Sequence, residues 1–162
     1  MPTPTHTLIE AVTLATSASS VTFSSISSTG KGDLVVVADF NTTTSNGDVF
    51  LKFNNSSSGY NYVSMEGNGS TSESYSFSNL SNFSFTYSNT TSGAKSNFIV
   101  NLLDYSANKH KSMLARWNDP NREAGAYAIR WASNAAINRL DVTTNSSFAA
   151  GSTFHLYQIV SE

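Results

Sequence analysis

Residues 33–40 read "DLVVVADF", and the placement of that octet decides the fold. Successive side chains of a strand point to opposite faces. Leu34, Val36, Ala38 and Phe40 therefore share one face, and Val35 and Val37 take the other. Both faces are largely apolar. Such a strand belongs in the middle of a sheet, covered from both sides or set against another subunit. The neighbouring segments keep the same period of two. Residues 7–15 ("TLIEAVTLA") and 21–26 ("VTFSSI") precede the octet, and in 48–54 Val49, Leu51 and Phe53 alternate with Phe50 and Lys52. Further strands are expected at 60–67, within 73–88 as two short aromatic-polar alternations, and at 97–105, 110–117, 126–131, 137–144 and 152–160.

Asn, Ser and Gly punctuate these segments. "NTTTSNG" precedes residue 48, "SANK" marks a hairpin after residue 105, and "NDPNREAG" reads as a loop after Trp117. Helical periodicity is nearly missing, and only "WASNAAINRL" (131–140) admits a single helical turn. Ten to twelve short strands at a spacing of roughly 8–12 residues predict an all-β domain, a two-sheet β-sandwich of jelly-roll type with little or no helix. Residues 1–7 are expected to form an N-terminal arm and residues 8–162 the single domain. The closing stretch, "AAGSTFHLYQIVSE" (149–162), supplies the last strand, entered through Gly151 and Ser152. Alternation puts Phe154, Leu156 and Gln158 on one face, and His155, Tyr157 and Ile159 on the other. Both faces again carry apolar groups, so His155, Tyr157 and Ile159 are candidate assembly contacts. Pro2, Thr3 and Pro4 join them as an arm expected to lie against a partner chain.

Composition narrows the class. The 162 residues are 39% hydrophobic and 12% aromatic, which suits a packed core rather than a disordered chain. Charged residues make up only 12%, about half the usual ~25%. Ser, Thr and Asn take their place, at 63 of 162 residues. With a net charge of −2 the chain has no electrostatic footprint for nucleic acid. No cysteine is available for disulfides or thiolate metal sites. No apolar run approaches the ~18 residues of a membrane span, and "MPTPTHTLIE" lacks the basic and apolar regions of a signal peptide. A protein made in the cytoplasm is expected, in which Asn-x-Ser/Thr triplets such as those at Asn41, Asn68, Asn89 and Asn145 follow from composition rather than glycosylation.

Groups able to do chemistry are few. His6, His110 and His155 stand in no metal-ligand spacing, and no Gly-x-Ser-x-Gly elbow occurs. Asp104 with Asp141, or Glu66 with Glu73, would have to lie ~5–9.5 Å apart to act as a glycosidase pair; capping turns and meeting Lys or Arg is the expected role. In "WNDPNRE" (117–123), Asp119, Asn121 and Glu123 offer oxygens to a calcium ion, but turn hydrogen bonds are the commoner use of such residues. Trp117 and Trp131, with Tyr60 and Tyr62, are candidates for a platform on which a glycan stacks. Trp131 falls in phase with Tyr127 and Ile129, and Trp117 with Met113 and Ala115, so a core or interface place is the alternative. "KHK" (109–111) is expected as a solvated basic tip. Neither catalytic residues, nor a metal, nor a cofactor is assigned.

An ordered set of segments resembles a family of tailed-bacteriophage virion structural proteins, chiefly from marine and cyanobacterial phages. The set comprises "SVTFSSI", "DLVVVADF", "LKFNNSSSGYNY", "KSMLARW", "AIRWASNAAINRLDV" and "FAAGSTFHLYQI", and spans most of residues 8–160. Phe53-Asn54 followed by Asn61-Tyr62, and Gly151-Ser152 ahead of Leu156-Tyr157, carry most of its specificity. One position departs: the family tends to a glycine after the Leu-Tyr pair, where this chain has Gln158. The resemblance implies a β-sandwich component of the virion. Small size and the lack of a fibrous stalk point to a capsid decoration or cement protein, a homo-oligomer, with a trimer favoured, binding other virion proteins such as the major capsid protein. A tail-fibre or baseplate module that binds a receptor or glycan is the alternative.

Overall fold

A computed structural model describes residues 5–85 and 90–159. It has twelve strands and, among the described residues, no helix. In chain order they are β1 (His6–Thr13), β2 (Ala18–Phe23), β3 (Asp33–Phe40), β4 (Val49–Phe53), β5 (Tyr60–Gly67) and β6 (Ser72–Leu80). There follow β7 (Phe83–Phe85), β8 (Ser96–Leu103), β9 (Lys111–Asp119), β10 (Glu123–Trp131), β11 (Leu140–Phe148) and β12 (Thr153–Ile159). Pro2, Thr3 and Pro4 lie outside the described residues.

Two antiparallel sheets face each other. The larger runs β1-β12-β3-β8-β9-β10-β5-β6 and the smaller β2-β11-β4-β7. Setting aside two hairpins, the first strand pairs with the last (β1–β12), the second with the second-last (β2–β11), then β3 with β8 and β4 with β7. That nesting is a long hairpin rolled up on itself, the jelly-roll arrangement. Hairpins β5–β6 and β9–β10 widen one sheet to eight strands.

The octet at β3 sits between β12 and β8, well inside the large sheet. Leu34, Val36, Ala38 and Phe40 point into the core between the sheets. Phe40 anchors an aromatic cluster there, with ring centroids 6.0 Å from Phe98, 5.4 Å from Phe148 and 6.4 Å from Phe154. Val35 and Val37 face the opposite way, onto the outer surface of the large sheet.

Some expectations from the sequence are corrected. The "NDPNREAG" loop shrinks to residues 120–122, because β9 and β10 stay in register from Trp131–Lys111 to Glu123–Asp119. The Asp119 carboxylate tightens the turn by accepting the Asn121 N–H (3.0 Å), and Pro120 sits where the ladder needs no donor. Strand β11 starts later than expected and continues to Phe148, with its register shifting between Thr143 and Phe148. Residues 132–139 form no helical turn. The Asn54 side chain holds them, donating to Ala136 O (2.7 Å) and accepting the N–H groups of Asn138 (3.0 Å) and Arg139 (3.2 Å). Asn54 and Asn55 both adopt positive φ (51° and 58°), and Ser56 N–H reaches Phe53 O at 2.8 Å, the geometry of a type I′ turn. At the other end, β1 begins at His6, so two residues assigned to the arm are strand, paired with Ile159 and Gln158.

Candidate functional site

The aromatic quartet expected as a stacking platform belongs to the core. Trp117, Trp131 and Tyr62 are each 3% exposed and Tyr60 is fully buried. Tyr60 stacks on Trp131 at 6.1 Å, Phe53 closes on Trp131 at 5.6 Å, and the Tyr60 hydroxyl accepts the Phe53 N–H at 2.8 Å. Burial first of all pushes that phenol up to about 12. No ring of the four has a free face for a sugar, so the stacking assignment is withdrawn for them. Their in-phase inward spacing was the sequence signal for this outcome.

The carboxylates divide. Asp104 lies at the β8–β9 turn, paired with Lys109, whereas Asp141 lies in the small sheet, held by Arg139 and Thr22. These two do not meet. Glu66 and Glu73 do, as register partners on β5 and β6, and Glu123 of β10 joins them around a polar cleft of about 90 Å³. Burial, then the Glu66 charge, raises the Glu123 carboxyl, with Asp119 and Glu73 adding to the effect and Arg122 opposing it. Glu66 accepts the Tyr127 hydroxyl at 3.1 Å. The cleft is small and polar, suited to ordered water. Asp119, the register partner of Glu123, has its carboxylate taken up by hydrogen bonds from Thr91 N (2.9 Å), Ser96 Oγ (2.9 Å) and Asn121 N. No group of three or more His, Asp or Glu among the described residues is arranged to hold a metal ion.

The basic tip at 109–111 is half a tip. Lys109 is exposed, but Lys111 is fully buried and donates to Ala107 O (2.7 Å) and Lys109 O (2.6 Å). It caps the hairpin from inside. Burial, then the Lys109 charge, lowers its ammonium. His110 accepts from Arg130 Nε at 3.2 Å.

The outer face of the large sheet is the surface that calls for an explanation. Strand β5 inverts the usual alternation: Ser64 and Glu66 point inward and are buried, while Val63 and Met65 point to solvent. Among the described residues five large hydrophobic side chains are exposed, Leu8, Val63, Met65, Leu103 and Leu114, at 42–66%. All five lie on this one face. The register aligns them. One row crosses the sheet from Leu8 and Tyr157 through Val35, Asn101 and Leu114 to Ala128 and Val63. The next runs from His155 through Val37, Ile99 and Arg116 to Ala126 and Met65. Asn97, Asn118, Asp39 and Thr153 form a polar border on one side, and Asn61, Arg130 and Ser112, in line with Leu103, on the other. A largely apolar centre, broken by Asn101 and Arg116, within a more polar border is the kind of patch found at contact surfaces.

His155, Tyr157 and Ile159 sit half-buried on this face, as their alternation required, and the His155 and Tyr157 rings stack at 6.2 Å. Sequence reading missed Val63, Met65, Leu103 and Leu114. Their signal was the two-faced apolar pattern already plain in "DLVVVADF", repeated more weakly in "YNYVSMEG" and "HKSMLARW". Gln158, where the phage family tends to glycine, points to the other face and donates to Lys31 O at 2.8 Å, tying down the loop before β3. The bulge of this sheet edge lies instead in β1, between Leu8 and Glu10. No protein-family model matches the chain, and neither does any curated protein.

Proposed function

We propose that the chain is a non-enzymatic structural subunit of a bacteriophage particle, a decoration or cement protein that sits on the outside of the capsid shell and stabilises it by non-covalent contact. The observation that carries the reading is the outer face of the eight-stranded sheet, where all five exposed large hydrophobics of the described residues lie. A patch of that kind gains free energy at ~25 cal/mol per Å² of apolar surface removed from water, and so favours a bound state. The low charge of the chain fits close packing among neighbours. The resemblance to virion structural proteins supplies the particle. A glycan-binding tail module has less support, because the aromatics it would need are in the core.

The test is mass spectrometry of purified particles from the phage that encodes the chain, with immunogold labelling of the same particles. Copies in the hundreds on the shell are expected. Absence from purified particles, or label confined to the tail tip, would overturn the proposal.

A further inference from the structure

We propose that Asn68, at the turn between β5 and β6, is a self-modification site, where the main-chain nitrogen of Gly69 attacks the Asn68 carboxamide and converts it through a cyclic imide to aspartate and isoaspartate. The inference stands apart from the particle reading, since it concerns chemistry within one copy of the chain.

The sequence holds two Asn-Gly pairs, Asn46-Gly47 and Asn68-Gly69. Such an attack is least hindered before glycine, which has no Cβ beside the attacking nitrogen and whose backbone turns freely. By sequence the two pairs rank equally. By structure they do not.

At Asn46-Gly47 both reacting groups are engaged. The Gly47 N–H donates to Thr90 Oγ1 at 3.1 Å. Gly47 is buried, and a Cβ there would stand 2.9 Å from the same oxygen and 3.0 Å from Ser146 Cβ, so the nitrogen is packed as well as bonded. The Asn46 N–H donates to Thr90 O at 2.8 Å, and Asn46 Oδ1 accepts from Arg122 Nη2 at 3.0 Å. Closing an imide ring at this pair means pulling Gly47 off Thr90 and out of its packing.

At Asn68-Gly69 the nitrogen is open. Both residues are exposed, a Cβ at Gly69 would meet nothing within 4 Å, and the Gly69 N–H has no acceptor among the described residues. The carboxamide, in contrast, is held. Asn68 Oδ1 accepts the N–H groups of Ser70 and Thr71, each at 2.9 Å. Those two bonds lay the side chain over the main chain that follows it. They also place two donors on the oxygen where negative charge grows as nitrogen adds to Cγ, the arrangement that stabilises tetrahedral intermediates of acyl transfer. Restraint of the turn slows ring closure, and this polarisation offsets it.

The step balances with water as the only co-reactant. The Gly69 nitrogen forms a bond to Asn68 Cγ and loses its proton to water, while the Cγ–Nδ2 bond breaks and Nδ2 leaves as ammonia after taking up a proton. Nothing is oxidised or reduced. Water then opens the imide at either carbonyl: cleavage at Cγ leaves aspartate, and cleavage at the main-chain carbonyl leaves isoaspartate. Either product adds a negative charge to the rim of the cleft that Asn68 lines with Glu66, Glu73 and Glu123. Isoaspartate also routes the main chain through Cβ, lengthening the turn that Asn68 N–H closes on Thr71 O at 3.2 Å.

The experiment is incubation of the full chain in mildly alkaline buffer, once folded and once in concentrated urea. Peptide mapping by mass spectrometry then separates asparagine, aspartate and isoaspartate at both positions over time. In urea the two pairs should convert at similar rates. In the folded chain Asn68 should convert no more slowly than in urea and Asn46 at least about tenfold more slowly. Isoaspartate should appear at residue 68, because direct hydrolysis of the side chain gives aspartate alone. A folded chain in which Asn46 keeps pace with Asn68, an Asn68 slowed by folding, or aspartate without isoaspartate at residue 68 would overturn the inference.

Discussion

Replacing Gly30 by alanine measures how tightly the loop before β3 closes on the β8–β9 turn. A methyl group there would stand 1.7 Å from the Tyr105 hydroxyl oxygen and 3.0 Å from Cζ. Gly30 does not occupy the left-handed region, so alanine brings no backbone penalty and the effect is steric. Tyr105 has little freedom to withdraw. Its side chain is fully buried, its carbonyl accepts the Ile137 N–H at 2.9 Å, and its neighbour Ser106 donates to Gly30 O. Overpacking typically costs ~1–3 kcal/mol, and a ring held on both sides argues for the upper end. For a domain of this size each kcal/mol lowers Tm by about 2–4 °C, so a fall of roughly 5–10 °C is expected. Tyr105→Phe should be almost silent, within ~1 kcal/mol, because its hydroxyl has no hydrogen-bond partner among the described residues. The double variant removes the 1.7 Å contact but keeps the ring edge at 3.0 Å. It should therefore recover about half of the loss, a coupling of ~1 kcal/mol or more. Urea unfolding followed by fluorescence of the two buried tryptophans gives the four free energies of the cycle. An additive double variant, or a Gly30→Ala as stable as wild type, would refute this packing argument.

Two carboxylates should respond to pH with opposite signs. Burial and neighbouring charges raise Glu123, so its folded state resists ionisation. Glu123→Gln should match wild type below the unfolded value near ~4.3 and exceed it in stability once the pH passes the raised folded value; a difference constant from pH 4 to 8 would contradict this. Burial alone would raise Asp141, but hydrogen bonds from Arg139 and Thr22 hold it below its usual range. Asp141→Ala should cost ~1–3 kcal/mol at neutral pH, and the loss should vanish as the pH falls from about 3.9 through the lower folded value, as read by denaturant titration. Lys111→Met keeps the buried stem but removes two charge-assisted hydrogen bonds. A loss of ~1–3 kcal/mol and faster hydrogen exchange over residues 105–110 are expected, and unchanged exchange there would argue against the cap.

Alternation made the strands of this protein legible and left their partners unread. Period two is a local property, so β3, β5, β8 and β12 could be placed to within a residue or two from side-chain type alone. Strand order is not local. Nothing in "AYAIRW" indicates that it pairs with "YNYVSMEG" some sixty residues earlier, yet that pairing builds both the Ala126–Met65 and Ala128–Val63 neighbours of the outer face and the glutamate corner. Residues 132–139 misled because Ala and Asn in sequence permit a helical turn, whereas the restraint comes from Asn54 in a distant turn. Lys111 misled for a different reason. A lysine in a basic run defaults to solvent, and only the curl of residues 104–109 turns two carbonyls inward to meet it. The outer face was half legible: both sides of "DLVVVADF" and of the last strand were plainly apolar, but which side would meet the second sheet depends on strand pairings that alternation does not give.

The chain's last described strand lies between β1 and β3 and is hydrogen-bonded to both. During synthesis β3 therefore presents an open edge, and β1 has no strand partner at all, until residues 153–159 have left the ribosome. The large sheet cannot close progressively from its N-terminal side. Its completion waits until β12 has been made, and the jelly roll should then form in one late, cooperative step that is slow because its pairings are distant in sequence. A ribosome-bound chain stalled before Thr153 would expose the Val35 edge beside the apolar rows, which makes the interval before the last strand arrives the time of greatest risk of aggregation.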